Sequence, residues 1–81
     1  MYFVYVIYSA TKGQKYIGQT VDLEKRLFEH NNGLLGGFTK NRGPWQIIYT
    51  ETYPTRTEAI LREKYLKTGA GRDYLKKIIG K

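Results

Sequence analysis

The chain has 81 residues with no cysteine and one histidine, and its 14 Lys and Arg residues outnumber its 7 Asp and Glu residues, which gives a formal net charge of +7. This composition excludes disulfides, thiolate zinc sites and a histidine cage for a metal, and the length predicts one domain over residues 1–81 with a single modest core. The positive charge favours a polyanion such as a nucleic acid as the partner.

The N-terminal segment predicts a β-hairpin. Tyr2 to Tyr8 is dense in β-branched and aromatic residues without polar alternation, which indicates a central strand covered on both faces. A turn containing Gly13 follows, and Tyr16 to Thr20 returns antiparallel after a loop of about six residues. If the residue numbers paired across the hairpin have an odd sum, Tyr5 and Tyr16 project from one face, whereas a slip by one residue separates them. The sequence leaves both registers open.

The same N-terminal run is the only long apolar segment of the chain. It is far shorter than the roughly 20 residues that a membrane-spanning helix needs. It also lacks a basic leader. We therefore expect a cytoplasmic protein.

A helix is predicted over about Val21 to Asn32, directly after the second strand. Thr20 is suited to cap this helix, and Asp22 and Glu24 complement the positive end of its dipole. Gly33 suits the left-handed backbone conformation at which many helices end.

Arg26 and His30 form a polar pair on this helix. Because they are four residues apart, their side chains lie on one face, one turn from each other. Leu23 and Leu27 mark the neighbouring apolar stripe, which must be buried. If the helix folds back over the strand that carries Tyr16, a phenol, a guanidinium and an imidazole meet in one region. Such a region has groups that can bind and cleave a phosphodiester.

Residues 34–44 form a glycine-rich connector that is long for so small a domain. The connector carries Lys40 and Arg42. Two interpretations remain open, a mobile basic loop that meets the ligand or a crossover that makes no contact with it.

A third strand is predicted over Trp45 to Tyr53, where large apolar residues mostly alternate with more polar ones. Pro54 ends this strand. Thr55 and Glu58 have the spacing of a capping box, in which each side chain bonds the other residue's free backbone amide. A second helix is therefore predicted from this point to about Thr68.

The C-terminal segment predicts a short basic helix. The glycines in the run Gly69 to Gly71 are expected to interrupt the preceding helix. Arg72 to Ile79 then has apolar residues at helical spacing and is predicted to close the domain.

Glu63 lies on or beside the apolar stripe of the second helix, with Ala59 and Ile60 one turn before it and Leu66 one turn after it. An ionised carboxylate in that position needs a partner. Lys67, four residues later, is favoured by spacing alone as an ion-pair partner. A divalent metal is the alternative, because magnesium commonly keeps most of its waters and binds only one or two carboxylates alongside phosphate oxygens.

Three groups of residues together resemble the GIY-YIG nuclease superfamily across essentially the whole chain. They are Phe3-Val4-Tyr5, Tyr16-Ile17-Gly18, and the set Arg26, His30 and Glu63. The resemblance implies an α+β fold, in which a three-stranded antiparallel sheet packs with about three helices in the order β-β-α-β-α-α. It also implies a metal-dependent endonuclease or nickase that hydrolyses DNA phosphodiester bonds.

The resemblance further implies catalytic roles for five residues. Glu63 would hold Mg²⁺ or Mn²⁺, and Arg26 would stabilise the phosphate. Tyr16 is a candidate base for the nucleophilic water, and Tyr5 would orient water or phosphate. A phenol with its usual pKa near 10 serves as a base at neutral pH only if neighbouring cations favour its anion. His30 titrates nearer neutrality and would share or relay the proton.

The basic residues expected to bind the nucleic acid are Lys40, Arg42, Lys67 and Arg72. DNA is the expected partner in repair or processing, and nothing in the chain separates it from RNA. We expect the protein to act without the appended DNA-binding domains of many relatives, and therefore with weak sequence preference, as a monomer or weak homodimer, and with a separate specificity partner.

Two departures from the family pattern keep other functions open. Phe3 and Val4 replace the usual Gly and Ile of the first motif, and no asparagine follows Glu63 where many members carry one. The main alternative is a catalytically weak or inactive nucleic-acid-binding module, whose affinity would fall steeply with salt and need no metal. An RNA-binding or protein-interaction domain is a third class.

Overall fold

The computed structural model describes residues 1–80, except for the side chain of Phe38. It contains the elements β1 (Tyr2–Ser9), β2 (Gln14–Thr20), α1 (Leu23–Asn31), a short 3-10 turn (Gly37–Thr39), β3 (Gln46–Tyr53), α2 (Arg56–Leu66) and α3 (Gly69–Ile79). The predicted α+β class and the order β-β-α-β-α-α are confirmed. Among the described residues, no helix has the length and apolar character needed to cross a bilayer.

The three strands form one antiparallel sheet in the order β2-β1-β3. The prediction that β1 is the central strand is therefore confirmed. Tyr5 pairs with Gly18 and Ile7 pairs with Tyr16, so the paired residue numbers have an odd sum. Because side chains alternate along a strand, Tyr5 and Tyr16 project from the same face of the sheet.

The helices cover both faces of the sheet, and alternate residues of β1 serve the two resulting cores. On one face, Tyr5 and Ile7 pack with Trp45 and with the α1 residues Leu23 and Leu27. On the other face, a second cluster joins β1 and β2 to the two C-terminal helices through Val4, Val6, Ile17, Ala59, Leu66 and Leu75. This packing explains why β1 has no polar alternation.

The hairpin and α1 differ in detail from the sequence predictions. The strands continue to Ser9 and from Gln14, so the loop is shorter than predicted, with Gly13 at a φ of 63°. Asp22, and not Thr20, caps α1, because the Asp22 carboxylate accepts a hydrogen bond from the Lys25 backbone N–H at 3.1 Å. Thr20 still belongs to β2, and its hydroxyl bonds the backbone of Asp22 instead.

The two C-terminal helices also correct the predicted boundaries. Thr55 caps α2 as predicted by accepting from the Glu58 N–H at 3.3 Å, but the Glu58 carboxylate accepts from the Thr55 hydroxyl and not from its amide. The predicted interruption between the two helices is present, but it lies at Lys67 and Thr68, so that α3 begins at Gly69 and not at Arg72 as predicted. Thr68 caps α3 by accepting from the Gly71 N–H at 3.2 Å. Only Lys67 and Thr68 lie between the two helices, which therefore meet at a tight corner.

Candidate active site

Gly18 allows the Tyr5 side chain to lie across the neighbouring strand. The two residues are paired in the β1–β2 register. A Cβ atom added at Gly18 would overlap the hydroxyl end of the Tyr5 ring. The glycine that ends the Tyr16-Ile17-Gly18 motif is therefore required for steric reasons, since any larger residue would displace the Tyr5 phenol.

Three rings converge above this glycine. The centroid of the His30 ring lies 5.0 Å from that of Tyr16 and 5.8 Å from that of Tyr5, and the two tyrosine centroids are 6.5 Å apart. Tyr5 is almost completely buried, whereas Tyr16 is half-buried. The sequence prediction that a phenol and an imidazole meet here therefore holds for both tyrosines.

His30 connects Tyr5 to the connector between α1 and β3. The Tyr5 hydroxyl lies 2.8 Å from Nε2 of His30, and the Thr39 hydroxyl lies 2.8 Å from Nδ1. The carbonyl oxygen of Thr39 accepts a hydrogen bond from Nε1 of Trp45 at 3.2 Å, which fixes Thr39 in place. Both ring nitrogens of His30 are thus held by hydroxyl groups inside the protein.

Thr39 was not predicted from the sequence. It lies in the connector, where the 3-10 turn places its side chain against His30 with 2 % of its surface exposed. A buried imidazole needs a partner at each nitrogen. That need predicts the existence of such a partner, but no spacing rule identifies Thr39 within a glycine-rich segment.

Burial and the neighbouring charges shift the titration of both partners in the Tyr5–His30 pair. Burial, reinforced by the positive charge of Arg26, lowers the pKa of His30, and Glu29 partly offsets this effect. His30 is therefore neutral at neutral pH, with one nitrogen that donates and one that accepts. Burial, and then Tyr16, raises the pKa of Tyr5 well above its usual value, although Arg26 acts in the opposite direction.

Arg26 and Glu63 bring opposite charges to the same cluster from different helices. Arg26 lies on α1, forms an ion pair with Glu29 at 3.2 Å and keeps 37 % of its side chain exposed. Glu63 lies on α2, and its carboxylate contributes to the raised pKa of Tyr5. The structure thus gathers Tyr5, Tyr16, Arg26, His30 and Glu63 from four elements into one site.

Glu63 forms the ion pair that the spacing favoured. Its Oε2 atom lies 2.7 Å from Nζ of Lys67, and the two side chains are 20 % and 44 % exposed. The same ammonium lies 5.7 Å from the centroid of the Tyr16 ring. Lys67 therefore connects the carboxylate to the tyrosine at the edge of the site.

The donor set at Glu63 fits a hard divalent cation that is held mainly by water and substrate. Over the part of the chain that the structure describes, no group of three or more His, Asp or Glu side chains is arranged to enclose a metal. Magnesium requires only one or two carboxylates when phosphate oxygens and water complete its shell. Glu63 meets that requirement once its pair with Lys67 opens.

Three of the four predicted nucleic-acid-binding residues line two separate depressions. Lys67 and Arg72 line a groove beside Tyr16. Lys40 is exposed and lines a second depression that includes His30. Arg42 is half-buried, and its carbonyl oxygen accepts a hydrogen bond from the Ser9 hydroxyl at 2.6 Å.

Asn31 is a further residue that the sequence did not single out. Its Oδ1 atom accepts from the Trp45 backbone N–H at 2.6 Å, and its Nδ2 atom donates to the Trp45 carbonyl at 3.2 Å. These two bonds attach the last residue of α1 to the residue before β3. They hold the connector so that Thr39 reaches His30.

This fold and site define a class of protein. The family model described as the GIY-YIG catalytic domain matches residues 1–76, and the chain therefore belongs to the GIY-YIG family. The resemblance identified from the sequence is confirmed. Membership of this family of endonucleases implies nuclease-type activity on DNA.

Small proteins of the UPF0213 group are similar to this chain over nearly their whole length. The UPF0213 protein of Staphylococcus saprophyticus is 38 % identical over 77 residues, which covers 95 % of this chain and 93 % of that protein. A UPF0213 protein of Staphylococcus epidermidis is 39 % identical with the same coverage. The solution NMR structure of a UPF0213 protein from Bacillus halodurans matches with a TM-score of 0.56 and 27 % identity, covering 96 % of this chain and 85 % of that one.

Proposed function

We propose that this protein is a metal-dependent DNA endonuclease or nickase of low sequence specificity, which acts on DNA structure in cytoplasmic repair or processing. The observation that carries the proposal is the 2.8 Å contact between Tyr5 and His30, with Tyr16, Arg26 and Glu63 around it. Hydrolysis of a phosphodiester requires a base for water and a positive charge for the phosphoryl oxygens. Groups of both kinds are present in this cluster.

The half-buried Tyr16 is the base: its phenol first loses its own proton, and the resulting phenolate then accepts the proton of the attacking water. It borders the open groove, whereas Tyr5 lies beneath it with 2 % exposure. The neutral His30, whose ring centroid lies 5.0 Å from that of Tyr16, is the neighbouring group that takes up the phenol proton of Tyr16 and relays it. Thr39 keeps the imidazole oriented through Nδ1.

Arg26 stabilises the charge that develops on the phosphoryl oxygens. Its guanidinium is partly exposed and carries several donors in a fixed plane, which suits a phosphate. Glu63 holds the divalent cation, Mg²⁺ or Mn²⁺, which supplies Lewis-acid stabilisation of the phosphate when bound. Lys67, released from Glu63, remains beside Tyr16 to meet the DNA backbone.

The direct test is cleavage of supercoiled, branched and flapped DNA by the purified protein with Mg²⁺ or Mn²⁺. We expect Arg26→Ala and Glu63→Gln to lose activity by about 100-fold or more, as removal of a charge-stabilising group commonly does. Arg56→Ala is the matched control, because it removes the same charge from an exposed residue at the start of α2. Equal cleavage by Arg26→Ala and the parent would refute the proposal.

The Glu63–Lys67 ion pair favours a second candidate, a nucleic-acid-binding module without turnover, because the pair occupies the only proposed metal ligand. This candidate predicts metal-independent binding that weakens steeply with salt and no product with any DNA. Competition between matched DNA and RNA duplexes separates the two substrates. A clear preference for RNA would overturn the DNA assignment in either case.

We further propose that residues 1–81 act as one domain, as a monomer or weak homodimer, and that a separate partner supplies target specificity. Sedimentation of the free protein and of its complex with DNA tests the first part. A stable dimer at micromolar concentration would contradict it.

A further inference from the structure

A groove of about 560 Å³ opens beside the candidate active site, lined by residues of β2, the end of α2 and α3. Four of its lining residues are cationic, and only Asp73 is acidic. The cationic residues are Lys15, Lys67, Arg72 and Lys76. We call this feature the basic groove.

The positive charges in the basic groove lie close enough to repel one another. Burial, and then the charges of Lys76 and Arg72, lowers the pKa of Lys15. Repulsion of this kind raises the energy of the free protein, and a bound polyanion relieves it. Two buried apolar residues, Ile17 and Leu75, also line the groove, which makes it a concave site and not merely a solvated charged face.

The basic groove adjoins the candidate active site formed by Tyr5, Tyr16, Arg26, His30 and Glu63. Tyr16 lines the groove, and its ring lies 5.0 Å from the His30 ring. Lys67 also lines it, contacts Glu63 at 2.7 Å and lies over the Tyr16 ring. A DNA strand whose phosphate lies at Arg26 and Glu63 therefore has a positively charged path leading away past Tyr16.

We propose that the basic groove binds the backbone phosphates next to the scissile phosphate, with Lys15 and Lys76 as contacts in addition to Lys67 and Arg72. The proposal rests on the proposed function, because it places the groove relative to the bond that is cut. Under this proposal the DNA strand follows a defined path along the basic groove and is not merely attracted by the net charge of the protein. Backbone contacts of this kind position DNA without reading its sequence.

The first experiment measures binding of a fluorescein-labelled flapped DNA duplex by fluorescence anisotropy in EDTA, where no cleavage occurs. The double variant Lys15→Gln/Lys76→Gln keeps most of each side chain's length but removes two charges. We expect its affinity at low salt to fall about tenfold or more, and its slope of log affinity against log salt to decrease by about 1.8, as for two lost duplex phosphate contacts.

The matched control is Lys64→Gln/Lys77→Gln, which removes the same net charge from exposed positions on α2 and α3 outside the groove lining. We expect a change of less than about threefold and a nearly unchanged salt slope. Equal weakening of binding by the two double variants would show that only net charge matters. That result, or parent-like binding by the groove variant, would overturn the proposal.

A second experiment determines which phosphates of the DNA contact the basic groove. Single methylphosphonates, which neutralise one phosphate each, are placed in turn on either side of the cleaved bond. A phosphate that contacts the groove weakens binding to the parent when neutralised but has little further effect on Lys15→Gln/Lys76→Gln. Equal losses for both proteins at every position would overturn the assignment.

The two proposals fail in different ways. If the parent binds DNA through Lys15 and Lys76 but cleaves none, the groove remains a nucleic-acid site and the nuclease proposal falls. If the parent cleaves DNA and the groove variant binds and cleaves like it, the nuclease proposal stands and the groove proposal falls.

Discussion

The absence of a side chain at Gly18 positions the phenol of Tyr5, a residue on the neighbouring strand. The Tyr5 phenol occupies the space where a Cβ atom of residue 18 would lie, and from there it reaches Nε2 of His30. The glycine is therefore required by packing against Tyr5, and its φ angle is not in the left-handed region. The motif residue and the hydrogen bond are parts of one steric arrangement.

Substitution of Gly18 by alanine tests this arrangement. We expect Gly18→Ala to lower the free energy of unfolding by about 1–3 kcal/mol, because a well-packed site resists an added methyl group, and to reduce DNA cleavage with it. In a Tyr5→Phe background the stability cost should be smaller, since the phenol oxygen is the atom closest to the new Cβ. Denaturant unfolding of the four proteins measures the coupling, and an equal cost in both backgrounds would contradict the steric explanation.

His30 predicts a specific dependence of stability on pH. Its pKa is lowered in the folded protein by burial and by Arg26, whereas in the unfolded chain it returns to about 6.5. Below that pH the unfolded state binds a proton that the folded state does not, so the free energy of unfolding falls as the pH decreases from about 6.5 toward the lower folded pKa.

Chemical denaturation between about pH 7.5 and 5 tests the dependence, with His30→Gln as the comparison. We expect the slope of stability against pH to flatten in the variant, because it has no imidazole to titrate. Thr39→Val serves as a second comparison that keeps the imidazole but removes the partner of Nδ1. A slope in His30→Gln equal to that of the parent would assign the pH dependence to other groups.

At the scale of elements, the junction between α2 and α3 depends on Gly71. A Cβ atom there would overlap the Tyr65 carbonyl oxygen and the Leu66 backbone, which are fixed parts of α2. Such a clash is not relieved by rotating a side chain. The corner between the helices therefore requires glycine at position 71, which lies within α3 and not in the break between the helices where the sequence pattern placed it.

Gly69 offers a matched control on the same helix, because nothing lies within 4 Å of a Cβ atom added there. We expect Gly71→Ala to cost about 3 kcal/mol or more, at the upper end for overpacking, and Gly69→Ala to be neutral or stabilising by up to about 1 kcal/mol. Thermal unfolding of both variants measures the difference. Similar melting temperatures for the two variants would show that the junction can adjust.

The sequence predicted those elements whose residues carry a local or periodic signal. The apolar run of β1 predicted a central strand, and the four-residue spacing of Arg26 and His30 predicted a shared helical face. The predicted start of α3 at Arg72 was wrong, because Gly69 and Gly71 favour a helix break by their local propensity. The close contact between Gly71 and α2, which keeps Gly71 within α3, forms only in the folded protein. Thr39 lies in a connector without periodicity, so only the folded chain reveals its bond to His30.

A network of hydrogen bonds around Glu51 also could not be predicted from residue spacing. Glu51 on β3 accepts hydrogen bonds from Tyr49 and Tyr53 and forms an ion pair with Arg62 of α2 at 2.8 Å. Burial alone would raise the pKa of Glu51, but these bonds outweigh it and hold the pKa below its usual value. The network joins the edge strand to the helix that carries Glu63.

At the scale of the whole molecule, the site exists only when all layers of the fold are assembled. Tyr5 and Tyr16 come from the sheet, Arg26 and His30 from α1 on one face, and Glu63 from α2, which joins the core on the other. The cluster therefore forms only when the whole domain is folded, and a ligand bound across it should stabilise the entire domain. Binding that is restricted to the folded state raises stability in proportion to the logarithm of ligand concentration.

Glu63 makes this linkage measurable, because its two roles predict opposite results. Its ion pair with Lys67 is partly exposed, so Glu63→Gln should change metal-free stability by only about 0.5 kcal/mol. If Glu63 holds the metal, millimolar Mg²⁺ raises the melting temperature of the parent but not that of Glu63→Gln, and the variant loses cleavage. Glu24→Gln, which removes an exposed carboxylate on α1, should respond to Mg²⁺ like the parent. A large metal-free loss of stability in Glu63→Gln together with unchanged cleavage would make Glu63 a structural residue and remove it from the active site.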